Sequence, residues 1–278
     1  MTWCEEHMPA PLRVRERGGV VALLPPARGG DIVRAALESG WSHIDTAAMY
    51  DNEKDVGAGL RASGRARGDY FLTTKVWHDR LDPELMLRSC EDSLDRLGLE
   101  QVDLFLIHWP NAYVPLKEQM EGLLEVRARG WARAIGVSNF TAALVREAQD
   151  LAGGALSINQ VEYHPQLSQK AVRAALDAAG MGLTAYSPIQ KGAVRDQQVI
   201  RDIAKRHGKS EVQVTLRWLM QQDDVAAIPK TGTPGRLAEN AAIFDFELSE
   251  DEMDAIFALG SGEGRRVDPD FAPEWDAE

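Results

Sequence analysis

Four ionisable side chains stand at or just past the ends of apolar runs in this chain. Asp45 and Tyr50 belong to His43-Ile44-Asp45-Thr46-Ala47-Ala48-Met49-Tyr50, Lys75 to Thr73-Thr74-Lys75-Val76-Trp77, and His108 to Leu106-Ile107-His108-Trp109-Pro110. A further segment of the same character is Asn159-Gln160-Val161-Glu162-Tyr163-His164-Pro165. An Asp, a Tyr, a Lys and a His at strand ends are the parts needed to polarise a carbonyl and protonate its oxygen. A buried Lys loses its proton unless paired, so Asp45 is the expected partner. The ammonium beside Tyr50 favours phenolate and is expected to lower the Tyr50 pKa toward working pH. His108 can donate to the substrate oxygen and orient it. A general acid of this kind contributes roughly 10²–10⁴-fold in rate. Taken singly, each residue is ordinary: a loop Tyr packs, a strand-end Lys is solvated, a His in an apolar run is a bonded core residue. Their convergence on three consecutive strands gives the chemical reading.

The elements that must position them alternate. Apolar runs at His43–Ala47, Tyr70–Trp77, Val102–Trp109, Ala132–Ser138, Ser157–Tyr163, Gly182–Pro188 and Val225–Pro229 are continuous rather than alternating, as in strands buried on both faces of a parallel sheet. Helices are expected between them. Asp82–Leu97 begins with a capping Asp82 and Pro83, and its Leu85, Leu87, Leu94 and Leu97 share a face. Thr141 caps Thr141–Leu151, Gly180 ends Ser168–Ala179, Ser210 caps Glu211–Gln221, and Ser249-Glu250-Asp251-Glu252 is a capping box. A strand within Val20–Leu24 is expected before the helix Asp31–Ser39. Eight such units close into an α/β barrel of the (β/α)8 TIM type, a single domain over residues 1–278. Side chains at the C-terminal strand ends of that fold read as functional.

Composition sets the bounds. A chain of 278 residues, 44% hydrophobic, suits one barrel of the ~200–250 residues or more common for the architecture. Two cysteines, Cys4 and Cys90, form no framework or metal-ligand spacing, so a reducing compartment is expected and Cys90 reads as a buried helix thiol. A net charge of −12 argues against nucleic acid and anionic membrane as partners. No apolar run reaches a membrane span, and Met1–His7 lacks the pattern of a signal peptide. A cytoplasmic monomer acting on a small molecule, with no metal, is the expectation.

At the residues that carry the chemistry, the chain resembles the aldo-keto reductase family. The matching motifs are His-Ile-Asp-Thr-Ala-x-x-Tyr (43–50), Thr-Thr-Lys-Val-Trp (73–77), His108-Trp109-Pro110, Gly136-Val137-Ser138-Asn139-Phe140, Asn159–Pro165, Tyr186-Ser187-Pro188 and Ile228-Pro229-Lys230-Thr231, in that order. The resemblance runs from about residue 29 to the C-terminus. It implies a catalytic tetrad of Asp45, Tyr50, Lys75 and His108, with Tyr50 as proton donor. It implies that Ser138, Asn139 and Gln160 hold a nicotinamide carboxamide, that Tyr186 stacks on the nicotinamide, and that Ser187 and Ile189 lie at the pyrophosphate. Lys230, Thr231 and Arg236 match the clamp on an adenosine 2′-phosphate, and Glu239 and Asn240 the adenine contacts.

The residues agree with such a cofactor. No Gly-x-Gly-x-x-Gly follows a strand, so no Rossmann pyrophosphate site is present. Lys230 and Arg236 flank the start of a helix after the last strand, where barrels commonly bind phosphate, and Arg offers phosphate a bidentate fork. A 2′-phosphate site favours NADPH. One segment departs from the family pattern: Gly18-Gly19-Val20-Val21-Ala22-Leu23-Leu24-Pro25-Pro26 stands where a Gly-Leu-Gly-Thr-Trp-like first strand is usual, so residues 1–28 read as an atypical N-terminal segment. Trp77 and Trp109 are expected to line an apolar mouth over Tyr50. The short Asn111–Leu116 stretch and the tail Arg266–Asp276 resemble the bacterial 2,5-diketo-D-gluconate and methylglyoxal reductase branch, which implies small aldehydes, dicarbonyls and keto-sugars as substrates. The alternatives are an alcohol dehydrogenase using the same residues in reverse, and an NADP-binding regulatory module with negligible turnover.

Overall fold

In a computed structural model of the protein, which describes residues 22–23, 29–231 and 233–277, the apolar runs become eight strands. They are β1 (Ala22–Leu23), β2 (His43–Asp45), β3 (Phe71–Val76), β4 (Val102–Ile107), β5 (Ala132–Ser138), β6 (Leu156–Glu162), β7 (Gly182–Tyr186) and β8 (Val225–Ile228). They lie in chain order, and each pairs in parallel with the next. The helices are α1 (Gly29–Glu38), α2 (Glu53–Ala62), α3 (Pro83–Leu97), α4 (Leu116–Ala128), α5 (Ala142–Leu151), α6 (Lys170–Ala179), α7 (Gln198–His207), α8 (Glu211–Met220), α9 (Gly235–Ala241) and α10 (Glu250–Phe257). The result is the expected (β/α)8 barrel.

The caps behave as their sequences suggest. Asp82 accepts from the N–H groups of Glu84 and Leu85 ahead of Pro83. Thr141 accepts from Leu144, while Ser210 with Gln213 and Ser249 with Glu252 form capping boxes. Gly180 ends α6 in the left-handed region at φ 63. Most element boundaries shift by one or two residues, and two of the shifts have a visible cause. Helix α6 begins at Lys170 rather than Ser168, because the Ser168 amide is drawn to Ser261 O and the Gln169 side chain donates to Glu162 O. Strand β2 ends at Asp45 rather than Ala47, because the Thr46 hydroxyl turns to Asn52 Oδ1 at 2.6 Å and a 3₁₀ turn follows at Ala48–Tyr50. Of the segment expected to hold the first strand, Ala22 and Leu23 pair with Ile44 and Asp45. Val20, Val21, Leu24 and the rest of the atypical stretch lie outside the described residues.

Two apolar layers hold the barrel. Outward side chains such as Leu72, Phe105, Ile107, Ile135 and Val137 join the helices in one large core. Inside, Phe71, Leu104, Leu106, Ala134 and Ile158 form a separate cluster. Because strand side chains alternate, Thr73 and Lys75 share the inner face with Phe71, and Gln160 and Glu162 share it with Ile158. Gly136 makes room within this interior: a Cβ there would meet Ile158 O at 2.6 Å and Leu106 Cδ2 at 2.9 Å. The thiol of Cys90 is buried in α3, and burial pushes its pKa up to about 12, so it is the inert helix thiol expected.

His43 sits one layer below Asp45, bonded to Thr73 Oγ1 at 2.9 Å and edge-on to Phe71. Burial, aided by the Lys75 charge, lowers its pKa to about 3. Between about 3 and 6.5 the unfolded chain binds a proton that the folded one refuses, so stability falls as pH drops through that window. The full shift corresponds to on the order of 5 kcal/mol. His43→Gln should therefore lose less stability than the wild type between about pH 7 and about pH 4.5, as read by urea denaturation at each pH. Equal losses would show that His43 does not set the acid limit.

Candidate active site

The C-terminal strand ends bring Asp45, Tyr50, Lys75 and His108 together. Lys75 is fully buried at the top of β3, and its ammonium forms an ion pair with Asp45 Oδ1 and donates to Thr46 O at 2.8 Å. The other carboxylate oxygen, Asp45 Oδ2, accepts from Gln160 Nε2 at 2.8 Å. The 3₁₀ turn after β2 ends with Asp51 in the left-handed region at φ 51, which swings Tyr50 back over the barrel. There Lys75 Nζ lies 5.3 Å from the centre of the Tyr50 ring, and the Tyr50 hydroxyl lies 3.5 Å from His108 Nε2.

One expectation is corrected. Tyr50 lies above its ordinary pKa, not below it. Burial pushes the phenol up, the Lys75 charge pulls it back only in part, and Asp45 raises it again. The hydroxyl is thus held protonated at neutral pH. His108 is driven well below its usual range by burial, then by the charges of Lys75 and His78, so its imidazole is neutral. The arrangement presents a protonated phenol and a neutral ring to one point, with a buried ammonium behind the phenol. That is suited to protonating a carbonyl oxygen.

The same point opens into a cleft of about 480 Å³. Tyr50, His108, Trp109, Asn139, Gln160, Tyr186, Ser187, Ile189, Lys230, Thr231, Arg236, Glu239 and Asn240 all line it. Asp45, Lys75, Ser138 and Trp77 do not. Asp45 and Lys75 lie beneath Tyr50. Ser138 is buried behind Asn139, its hydroxyl donating to Gln160 O at 2.7 Å and accepting from Asn139 Nδ2 at 3.1 Å. Asn139 holds a left-handed φ of 63, donates to His108 O at 2.9 Å and accepts from the Tyr186 hydroxyl at 2.8 Å. Thr231 is occupied in its own turn with Thr233, and Glu239 accepts from Ser210. Trp77 stands half-buried at the rim, edge-on to His108 with ring centres 5.0 Å apart.

Several residues on the cleft were given no role from the sequence. Lys191 and Arg195 line it from the loop after β7 and, with Lys230 and Arg236, make four cations. None of the four forms an ion pair among the described residues. This donor set fits a polyanionic ligand, and the Tyr186 ring fits a flat one. Phe271, from the tail, completes the aromatic rim: it stacks on His78 at 4.1 Å and meets Trp77 and Trp109 edge-on. Apolar character in the quoted tail was the only signal for it.

Comparison with known proteins agrees with this geometry. Residues 24–260 match the model of the aldo/keto reductase family. A glyoxal reductase of Bacillus subtilis is 44% identical over 86% of this chain and 86% of its own length. A solved structure described as a putative 2,5-diketo-D-gluconic acid reductase B superposes with a TM-score of 0.89 at 43% identity, covering 93% of this chain and 94% of that one. The aldo-keto reductase of Bombyx mori in complex with NADP superposes at 0.81 with 32% identity, over 90% and 91% of the two chains. The chain belongs to the aldo/keto reductase family. Its reaction class is that of the family, reduction of a carbonyl group.

Removing the buried cation should have two separable effects. Lys75→Met leaves the Asp45 carboxylate with Gln160 and no counter-charge, a change expected to cost about 3–5 kcal/mol in thermal or urea denaturation. It also deletes the contribution that lowers Tyr50, so the Tyr50 resonance in labelled-tyrosine NMR should titrate at still higher pH than in the wild type. A variant of unchanged stability and unchanged Tyr50 titration would refute the pairing.

Proposed function

We propose that this protein is an NADPH-dependent reductase of small aldehydes, dicarbonyls and keto-sugars, acting in the cytoplasm, with Tyr50 as the proton donor. The observation that carries the reading is one cleft with the Asp45, Tyr50, Lys75 and His108 group at its floor and, at its other end, four cations that form no ion pair among the described residues. NADPH, when bound, supplies hydride to the carbonyl carbon.

The protein's own residues do the rest. His108 donates from its neutral ring to the carbonyl oxygen and fixes the direction of its lone pairs. Tyr50 gives its proton to that oxygen as negative charge develops on it. A raised pKa keeps the phenol loaded for this step, and the Lys75 ammonium opposes the cost of leaving a phenolate in a buried place. Asp45 holds Lys75 in position. Asn139 and Gln160 offer amides at the cleft floor, where they can bind a carboxamide, and Tyr186 presents a ring to stack on it. Ser187 and Ile189 line the stretch of cleft where a pyrophosphate would be held, and Glu239 and Asn240 the stretch where an adenine would be. Lys230, Thr231 and Arg236 are suited to a 2′-phosphate. Trp109, with Trp77 and Phe271 at the rim, gives an apolar mouth that fits a small carbonyl compound. The glyoxal and diketogluconate names of the relatives support this substrate class.

Two measurements test the reading. Tyr50→Phe should lower kcat for methylglyoxal by roughly 10²–10⁴-fold while leaving NADPH binding within about twofold. Retention of most of kcat would remove Tyr50 as the acid. Arg236→Ala should weaken NADPH by on the order of 1.5–3 kcal/mol, the scale for a charged hydrogen bond, and barely change NADH. Equal losses with both cofactors would overturn the 2′-phosphate assignment.

A further inference from the structure

Glu162 ends β6 on the inner face, two positions beyond Gln160, and has no place among the groups above. It is fully buried, so its carboxylate requires donors. The backbone N–H of Arg266 reaches Oε1 at 3.2 Å and Oε2 at 3.0 Å, and that of Val267 reaches Oε2 at 2.9 Å. The His164 ring lies against Oε1, its Nε2 at 3.2 Å. Burial would push the carboxyl up, but these hydrogen bonds outweigh it and hold it below the usual range. A charge inside the barrel thus grips the main chain of the C-terminal tail.

The gripped segment is a strap with a second anchor. Asp276 Oδ2 accepts from the Ala142 N–H at the start of α5, at 2.9 Å. Between the anchors, Trp275 donates to Asp268 at 2.8 Å, and Phe271 reaches His78, Trp77 and Trp109. Glu162 therefore holds one end of the strap that supplies the outer wall of the mouth.

The far side of the same cluster faces the loop after β7. The Gln190 amide nitrogen is 3.0 Å from His164 Nε2. Gln190 belongs to a run in which Ser187, Gln190, Lys191 and Gly192 have φ of 50, 45, 55 and 101. Three of these carry side chains, for which left-handed backbone is unfavourable, so the loop persists only where its surroundings hold it. Ser187, Ile189, Lys191 and Gly192 line the basic part of the cleft. One chain of contacts therefore runs from that loop through Gln190, His164 and Glu162 to the amides of Arg266 and Val267.

We propose that Glu162 and His164 are positioning residues that couple the loop after β7 to the tail strap, so that ordering the loop around the cofactor also sets the Phe271 wall of the carbonyl pocket. The identity of the ligand that orders the loop rests on the NADPH reading above; the mechanical link does not. Such coupling is reciprocal, so filling the mouth also tightens the loop.

Hydrogen exchange read by mass spectrometry over 187–195 and 265–277 tests it, using the full chain with and without NADPH. Gln190→Met keeps the side-chain length and removes the amide, and Gln190 makes no hydrogen bond to the tail among the described residues. In the absence of cofactor, Gln190→Met should speed exchange in 265–277 several-fold, and Glu162→Gln should speed it in 187–195. Saturating NADPH should slow exchange in 265–277 of the wild type, and Gln190→Met should remove most of that slowing at equal saturation. If Glu162→Gln does not fold, Gln190→Met decides alone. Faster exchange confined to 187–195 in Gln190→Met overturns the coupling, as does an unchanged tail in the wild type saturated with NADPH. Failure of the wild type to bind NADPH would instead remove the cofactor reading, and the comparison without cofactor would still decide the link.

Discussion

A lysine ammonium sealed inside a barrel must keep a counter-charge, and the geometry around it follows from that need. Burying an ion costs several kcal/mol, repaid only when partners complete its hydrogen bonds. Lys75 takes one oxygen of Asp45 and the carbonyl of Thr46, and Gln160 takes the other Asp45 oxygen. The Thr46 carbonyl can reach Lys75 only because the chain leaves the strand there. The departure that satisfies the charge is also the one that brings Tyr50 over the barrel. The ion pair and the placement of the phenol are one constraint seen from two sides.

The same burial divides labour between the two groups that face the cleft. It strips His108 of any tendency to charge and holds the Tyr50 proton in place. Two neutral donors 3.5 Å apart do not repel each other, whereas an imidazolium beside an ammonium would. The site reaches its protonation states by exclusion of water more than by its charges, which makes its enclosure by aromatic residues an electrostatic matter as well as a steric one.

Much of this was legible in the sequence because it is local. Asp82-Pro83 and Ser249–Glu252 carry their caps within four residues, and continuous apolar runs separated by helical patterns lead directly to a parallel barrel. Lys75 and His108 were readable as neighbours because consecutive parallel strands end side by side. What escaped depends on distant partners. Gln160 meets Asp45 across 115 positions of chain, and nothing near either residue announces it. The direction of the Tyr50 shift turned on how completely the folded chain encloses the ring, a sum over many elements that spacing does not carry. Lys191 and Arg195 reach the cleft only because the loop after β7 adopts left-handed backbone at non-glycine positions, which composition does not signal.

The four cations of the cleft sit in a molecule whose net charge is −12. An anionic ligand approaches a molecule of net negative charge and meets a local excess of cations at this cleft, so the field favours its capture there over lodging elsewhere. A neutral carbonyl compound feels neither effect. On the function proposed above, a charged cofactor and an uncharged carbonyl substrate would therefore arrive under different physics. Added salt, which shortens the reach of the field to about 8 Å at physiological ionic strength, slows capture of the charged one while leaving the diffusion of the neutral one unchanged. Ionic strength thus becomes a means of telling which arrival limits turnover.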